Sequence, residues 1–189
     1  VERPVAPSDV PGERASPTQP IPTKPAPFEY QGVGVDDLAD FTPAIRDAAV
    51  AAIKTFRTGP LFTPPSLQGT IVRPGSVGGA NWGGAAVDPE TGMLYVPSRN
   101  GFSVTTLAAP DTKLESNLQF MQVPGRSPRM PDGLPLFKPP YSRITAIDMN
   151  TGNHAWMIPT GSGDRIRNNP RLKGLNLGQT QLSVYLDAR

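Results

Sequence analysis

The chain of 189 residues has no cysteine and a single histidine, His154. Without cysteine there is no disulfide, no thiolate metal site and no cysteine nucleophile, although this absence does not assign a redox compartment. A Ser-His-Asp triad would need His154 as its base, but that residue stands two before Trp156 in a strand-like stretch and reads as a strand side chain. No apolar run approaches the length of a membrane-spanning helix. Charge of one sign is also scarce: 18 basic against 16 acidic residues leave a net charge of +2, too little for the dense basic surface that phosphate neutralisation needs, so nucleic acid is not an expected partner. The chain opens at Val1 with no basic stretch followed by an apolar one. No signal peptide is therefore expected within it, and it reads as an internal piece of something longer.

What is abundant is proline, 24 residues, and glycine, 19, in a chain only 37 % hydrophobic, which excludes a compact helical bundle and predicts long irregular connections around few regular elements. Eight prolines fall between Pro4 and Pro27, and each fixes its own φ and biases the residue before it to extended backbone. Residues 1–35 therefore form an extended Pro-rich region. It is either a disordered linker or an ordered strap across a larger domain, the latter suggested by Val5, Val10, Ile21 and Phe28.

Residues 36–69 comprise a helix and its connection. Asp36 to Arg57 is the one helical stretch, with Thr42 as a cap, Pro43 in the first turn, and Ala48, Ala49, Ala51 and Ala52 as strong helix formers. Ile45, Ala49, Ala52, Ile53 and Phe56 recur at three and four residues and predict one buried face, with Arg46, Asp47, Lys54 and Arg57 in water. The helix is expected to pack, not to act.

From Gly69 onward the texture is all-β. Short strand-like runs occupy Thr70 to Arg73, Ala85 to Val87, Met93 to Pro97, Ser103 to Leu107, Arg143 to Ile147 and Ala155 to Ile158. Residues 108–140 lack a period and read as a long surface excursion between two hairpins. Ala86-Val87-Asp88-Pro89-Glu90-Thr91-Gly92 repeats as Ala146-Ile147-Asp148-Met149-Asn150-Thr151-Gly152. In each copy the Asp can accept N–H groups of the turn while the Gly takes a positive φ. Repeated hairpins too small to bury their own face predict a sheet stack, barrel or propeller over residues 70–189.

The second copy continues to Trp156 and resembles the tryptophan-docking repeat AxDxxTGxxxW of the pyrroloquinoline quinone (PQQ) dehydrogenases. Gly78-Gly79-Ala80-Asn81-Trp82 through Pro89 is similar to that family's GGxNWxxxxxxP segment. Phe62-Thr63-Pro64-Pro65-Ser66, Pro74-Gly75, Gly12-Glu13 and Ser16-Pro17-Thr18-Gln19-Pro20 resemble its membrane-bound glucose dehydrogenase branch. The likeness runs from about Val1 to Leu177 and does not extend over residues 178–189.

The resemblance implies an all-β fold, about two blades of an eight-bladed quinoprotein propeller, each repeat closing a blade with its Trp wedged against the next. It implies that Asn81 and Trp82 approach the edge of bound PQQ, the carboxamide bonding quinone oxygens, whereas a glycine-rich turn with a packed Trp is what the residues alone suggest. By the same resemblance, the catalytic Asp, the calcium-ligating Glu and the Trp beneath the quinone lie before Val1, and later blades follow Arg189, so no catalytic or metal residue is assigned here. It further implies a periplasmic enzyme, with any inner-membrane anchor in a region outside this chain, that oxidises a sugar or alcohol with PQQ and calcium and passes electrons to a membrane quinone or cytochrome. The contrasting expectation is a non-catalytic propeller that keeps such repeats for scaffolding. An Asn-Trp pair facing a cavity separates the two.

Other clusters read as structural. Asp36-Asp37 suits a helix entry, Asp88 with Glu90 suits a turn, and Arg165, Arg167, Arg171 and Lys173 suit a solvated loop. Gly161-Ser162-Gly163-Asp164 lacks the Lys and following helix of a phosphate loop.

Overall fold

The computed structural model describes residues 1–111, 113 and 115–177. In chain order these form β1 (Glu2–Pro4), β2 (Thr18–Pro20), α1 (Pro43–Ile53), β3 (Thr70–Val72), β4 (Ala86–Asp88), β5 (Met93–Arg99), β6 (Ser103–Ala108), β7 (Met121–Val123), β8 (Ser142–Asp148), β9 (Asn153–Pro159) and the short α2 (Asp164–Arg167). The last residues of the expected propeller region, 178–189, lie outside the described residues.

The dominant sheet is an antiparallel meander in the order β4-β5-β8-β9, the form of one propeller blade. Between its two central strands the chain makes an excursion whose strands join β3 in a second sheet, β3-β6-β7, while β1 and β2 pair as a two-stranded ribbon. The expected all-β, partial-propeller class is the one observed.

Seven residue pairs join β5 to β8, from Met93 opposite Asp148 to Arg99 opposite Ser142. This register places both copies of the repeated turn at one end of one sheet, where the Met149 N–H donates to Gly92 O (2.9 Å) and the Asn150 side chain donates to Thr91 O (3.1 Å). The two copies are thus neighbours within a blade. They do not each close a separate one, because β5 and β8 pair directly and bring their turns side by side.

Each turn is built alike. Asp88 accepts the Glu90 N–H (3.0 Å) and the Thr91 hydroxyl (2.6 Å), and Asp148 accepts the Asn150 N–H (2.9 Å) and the Thr151 hydroxyl (2.9 Å). Gly92 (φ +71°) and Gly152 (φ +68°) close the loops in the left-handed region. The alanine of the second copy has its own role. Ala146 is fully buried and lies between Tyr95 and Trp156 in one cross-strand row, so that the two rings meet at 5.8 Å between centroids. Between Ala146 and Ile147 the β8–β9 register shifts by one residue on β9, a bulge that leaves Ala155 without a partner in the register. The Trp156 indole is 41 % exposed, its ring packed against Tyr95 of its own sheet.

The expected helix from Asp36 to Arg57 is shorter at both ends. Asp36 and Asp37 fall in a separate 3-10 turn, Val35–Asp37, because Leu38 pairs with Phe137 and the Ala39 N–H donates to Leu136 O, which holds that stretch extended. Thr42 does cap α1, accepting the Ile45 N–H at 3.2 Å, with Pro43 at its first position. At the far end, Arg57 exchanges backbone bonds with Gly69 and Ile71 and so leaves the helix.

The helix buries Ala49 and Ile53 with Val33, Leu38, Ile71, Leu136 and Phe137, and Ile45 in a second cluster with Ala39, Leu134, Ile166 and Leu172. Residues 108–140 are therefore not wholly a surface excursion: Leu134, Leu136 and Phe137 are core. Nor is Arg57 simply in water. Its guanidinium donates to Pro7 O (2.6 Å) and pairs with Asp9 (3.1 Å). With Lys24 donating to Thr151 O and the His154 ring to Ala26 O (2.8 Å), these contacts lay the Pro-rich region along the sheet as an ordered strap.

Two outcomes test this account. Ala146→Leu is expected to separate Tyr95 from Trp156 and destabilise the protein by about 1–3 kcal/mol, read by chemical denaturation. The carboxyls of Asp88 and Asp148 are both held below their ordinary value, Asp88 chiefly by the Thr91 hydroxyl and Asp148 chiefly by the Asn150 N–H. Carboxylates favoured by folding stabilise above the ordinary carboxyl pKa, and that contribution is lost as pH falls through the lowered folded value. The Asp88→Asn/Asp148→Asn variant is expected to lose less stability than wild type between about pH 6 and pH 3, measured by thermal melts across that range.

Candidate cofactor site

At the end of the blade opposite the twin turns lies a cavity of about 560 Å³, a size ordinary for a small-molecule site. Its walls are the loop 77–84, the end of β5 (Pro97, Ser98, Arg99), the start of β8 (Ser142, Arg143) and the residues following β9 (Thr160, Gly161). The loop is shaped by its own bonds. Gly78 turns at φ +76° and donates to Gly75 O (2.8 Å), Gly84 turns at φ +66° and donates to Asn81 O (2.9 Å), and the Asn81 side chain donates to Val77 O (2.9 Å). That last bond uses one N–H of the Asn81 carboxamide and fixes its place on the rim.

Asn81 and Trp82 both line this cavity, and the Trp82 ring is 97 % exposed. The loop's glycines differ in function. Gly78 and Gly84 are needed for their positive φ, whereas Gly79 is needed for space: a Cβ there would lie 2.6 Å from Glu29 Cγ.

Beneath the loop is a charged network that the sequence reading did not single out. Glu29, from the Pro-rich strap, is buried and accepts from Arg143 Nε (3.1 Å) and Nη2 (2.8 Å), the Ser98 hydroxyl (2.7 Å) and the Tyr30 N–H (3.3 Å). Ser98 and Arg143 face each other across β5 and β8, so the carboxylate docks on a cross-strand pair. The Arg143 guanidinium also lies 4.7 Å from the Tyr30 ring centre. Buried Arg73 lies 4.5 Å from the same ring and pairs with Asp37 at 3.0 Å. No sequence signal marks Glu29, whose partner stands 114 residues away.

The remaining candidates fall outside the cavity or at its edge. Arg171 pairs with Asp132, Arg167 donates to Ser162 O (3.1 Å), and Gly163 precedes the short α2, while Gly161 of the same run reaches the cavity wall. Asp36 lies beside Arg46 at 3.6 Å, and Asp37 pairs with Arg73. Among the described residues no three His, Cys, Asp or Glu side chains come together as a metal site, and no helix is long and apolar enough to cross a membrane.

A family described as the beta-propeller domain of PQQ-dependent glucose, ethanol and alcohol dehydrogenases matches residues 1–185. The chain belongs to this family. Among its relatives, the quinate/shikimate dehydrogenase (quinone) of Acinetobacter baylyi is 29 % identical over 180 residues, covering 86 % of this chain and 22 % of the relative. The quinoprotein glucose dehydrogenase of Escherichia coli is 29 % identical over 185 residues, covering 85 % and 22 %. The glycerol dehydrogenase large subunit of Gluconobacter oxydans is 29 % identical over 191 residues, covering 85 % and 25 %. The chain thus spans a quarter or less of the length of these relatives.

The donor chemistry of this cavity fits an acidic, planar, oxygen-rich group: a carboxamide at Asn81, the Arg99 side chain on the wall and an indole face at Trp82, while the Arg143 guanidinium is taken up by Glu29. The buried pair on its floor makes a stability prediction. Arg143→Met leaves Glu29 buried without its cation and is expected to cost about 3–5 kcal/mol, while Arg143→Met with Glu29→Leu recovers most of that loss in urea denaturation.

Proposed function

We propose that this chain forms one wall of the PQQ pocket of a quinoprotein dehydrogenase, whose whole length oxidises a hydroxyl group of a sugar or other polyhydroxylated substrate. The observation that carries the reading is the placement of Asn81 and Trp82, with Arg99 and Arg143, around a single cavity at the end of the blade. When bound, PQQ would supply the two-electron acceptor for oxidation of a substrate CH–OH to C=O.

The chain's own residues bind and orient. Asn81, tied to Val77 O, presents its carboxamide to quinone oxygens; Trp82 offers a flat apolar face; and the positive charge of Arg99 favours an anionic guest. The carboxylate that accepts the hydroxyl proton and the ligands of calcium are assigned to parts of the enzyme outside this chain. On this reading the chain alone is inactive, the enzyme is periplasmic, and electrons leave to a membrane quinone or a cytochrome. Relatives named for quinate/shikimate, glucose and glycerol support a polyol substrate, and the glucose-like motifs around Phe62 and Ser16 support a sugar within that class.

The test is calcium-dependent PQQ binding to the full-length enzyme, followed by quinone absorbance. Asn81→Ala is expected to weaken binding by about ten-fold, the loss of roughly one good hydrogen bond. A folded full-length protein that binds no PQQ would overturn the proposal.

A further inference from the structure

Glu29 lies in a strap rich in proline, yet it carries the most completely bonded buried carboxylate of the described residues, and it does not itself line the cavity. Its two oxygens accept four bonds, from Arg143 twice, Ser98 and Tyr30 N–H, which fills the capacity of a carboxylate. A buried ion pair seldom adds stability over apolar residues of similar size, so its contribution is sought in what it holds still. Two contacts lead from Glu29 to the cavity. Its methylenes lie directly against Gly79, leaving no room for a Cβ there, and Gly79 O accepts the Arg99 N–H at 2.8 Å. Asn81 follows Gly79 by two residues.

We infer that Glu29 is a positioning residue for the cofactor loop: it clamps the Ser98–Arg143 cross-strand pair and, through Gly79, sets the height at which Asn81 stands over the cavity. The inference rests on the proposed PQQ site. It gives the strap a function at that site: the N-terminal region supplies the support on which the loop rests. Glu29 also balances the Arg143 charge, so that guanidinium is committed to the floor through Nε and Nη2, with Nη1 3.2 Å from Met157 Sδ.

The experiment is a set of PQQ titrations of the full-length apoenzyme with calcium, read by quinone absorbance. Glu29→Gln keeps the size of the side chain and removes its charge; Gly79→Ala keeps the carboxylate and its charge and forces the loop and the Glu29 methylenes apart. Both are expected to raise the Kd for PQQ about ten-fold, the scale on which supporting residues act. In an Asn81→Ala background both are expected to change the Kd less than about two-fold, because their effect passes through Asn81. A residue that serves stability alone would shift the melting temperature without this coupling. Equal ten-fold losses in both backgrounds, or unchanged Kd in Gly79→Ala and Glu29→Gln, would overturn the positioning role while the PQQ site stands. If Glu29→Gln does not fold, Gly79→Ala decides the matter by the same comparison. Wild-type enzyme that binds no PQQ overturns the functional reading and this inference together.

Discussion

The ladder between β5 and β8 is the constraint on which the rest of the molecule depends. Its seven pairs fix which residues share each end of the blade. At one end Asp148 faces Met93, and the two Asp-Thr-Gly turns interlock through Gly92 and Asn150. At the other, Ser98 faces Arg143, and the cavity opens beside them. A slip of one residue would send Arg143 to the opposite face and leave Glu29 without its cation. The blade therefore has a turn end and a site end, and a single register defines both.

Charge at the site end is handled by geometry instead of by solvent. Arg73 and Arg143 are both buried, and each has a carboxylate partner and the Tyr30 ring within 5 Å of its guanidinium carbon. Burial lowers the pKa of Arg73, with Asp37 opposing that shift, so the pairing keeps the cation charged where desolvation works against it. Burial likewise pushes the Tyr141 phenol well above its ordinary value, and its hydroxyl donates to Phe137 O at 3.0 Å. Tyr30, Arg73 and Arg143 tie the strap, the segment after β3 and the central strand β8 into one polar block beneath the cofactor loop.

Much of this was legible in the sequence where the signal is local. The Asp-Thr-Gly turns follow from a side-chain acceptor and a glycine at fixed spacing, and the helix follows from Thr42, Pro43 and the alanines. Its overlong ends show where local propensity yields: Arg57 is drawn into backbone pairing with Thr70 across the connection that follows the helix, and Leu38 with Phe137, a partner that no window of the sequence brings near. The alternation that marks β5 and β8 says nothing of which strand each will meet, so the two turn copies read as two blades when they are neighbours in one. Asn81 and Trp82 were found through their motif. Glu29 was not, because a lone acid among prolines carries no period and its meaning comes only from Arg143, far along the chain.

The long excursion between β5 and β8 has a consequence for how the blade assembles. The outer hairpins, β4 with β5 and β8 with β9, close over a few residues each and form from local contacts. The central ladder must first bring together strands separated by residues 100–141, which include β6, β7 and the core side chains Leu134, Leu136 and Phe137. Loop closure of that kind is entropically slow but only modestly more costly with each added residue, so the delay falls on the rate more than on the final stability. On chain separation alone, the middle of the sheet waits on its two outer hairpins. The same waiting step orders the site: the carboxylate of the strap has no cross-strand pair to grip until the two halves of the blade have met.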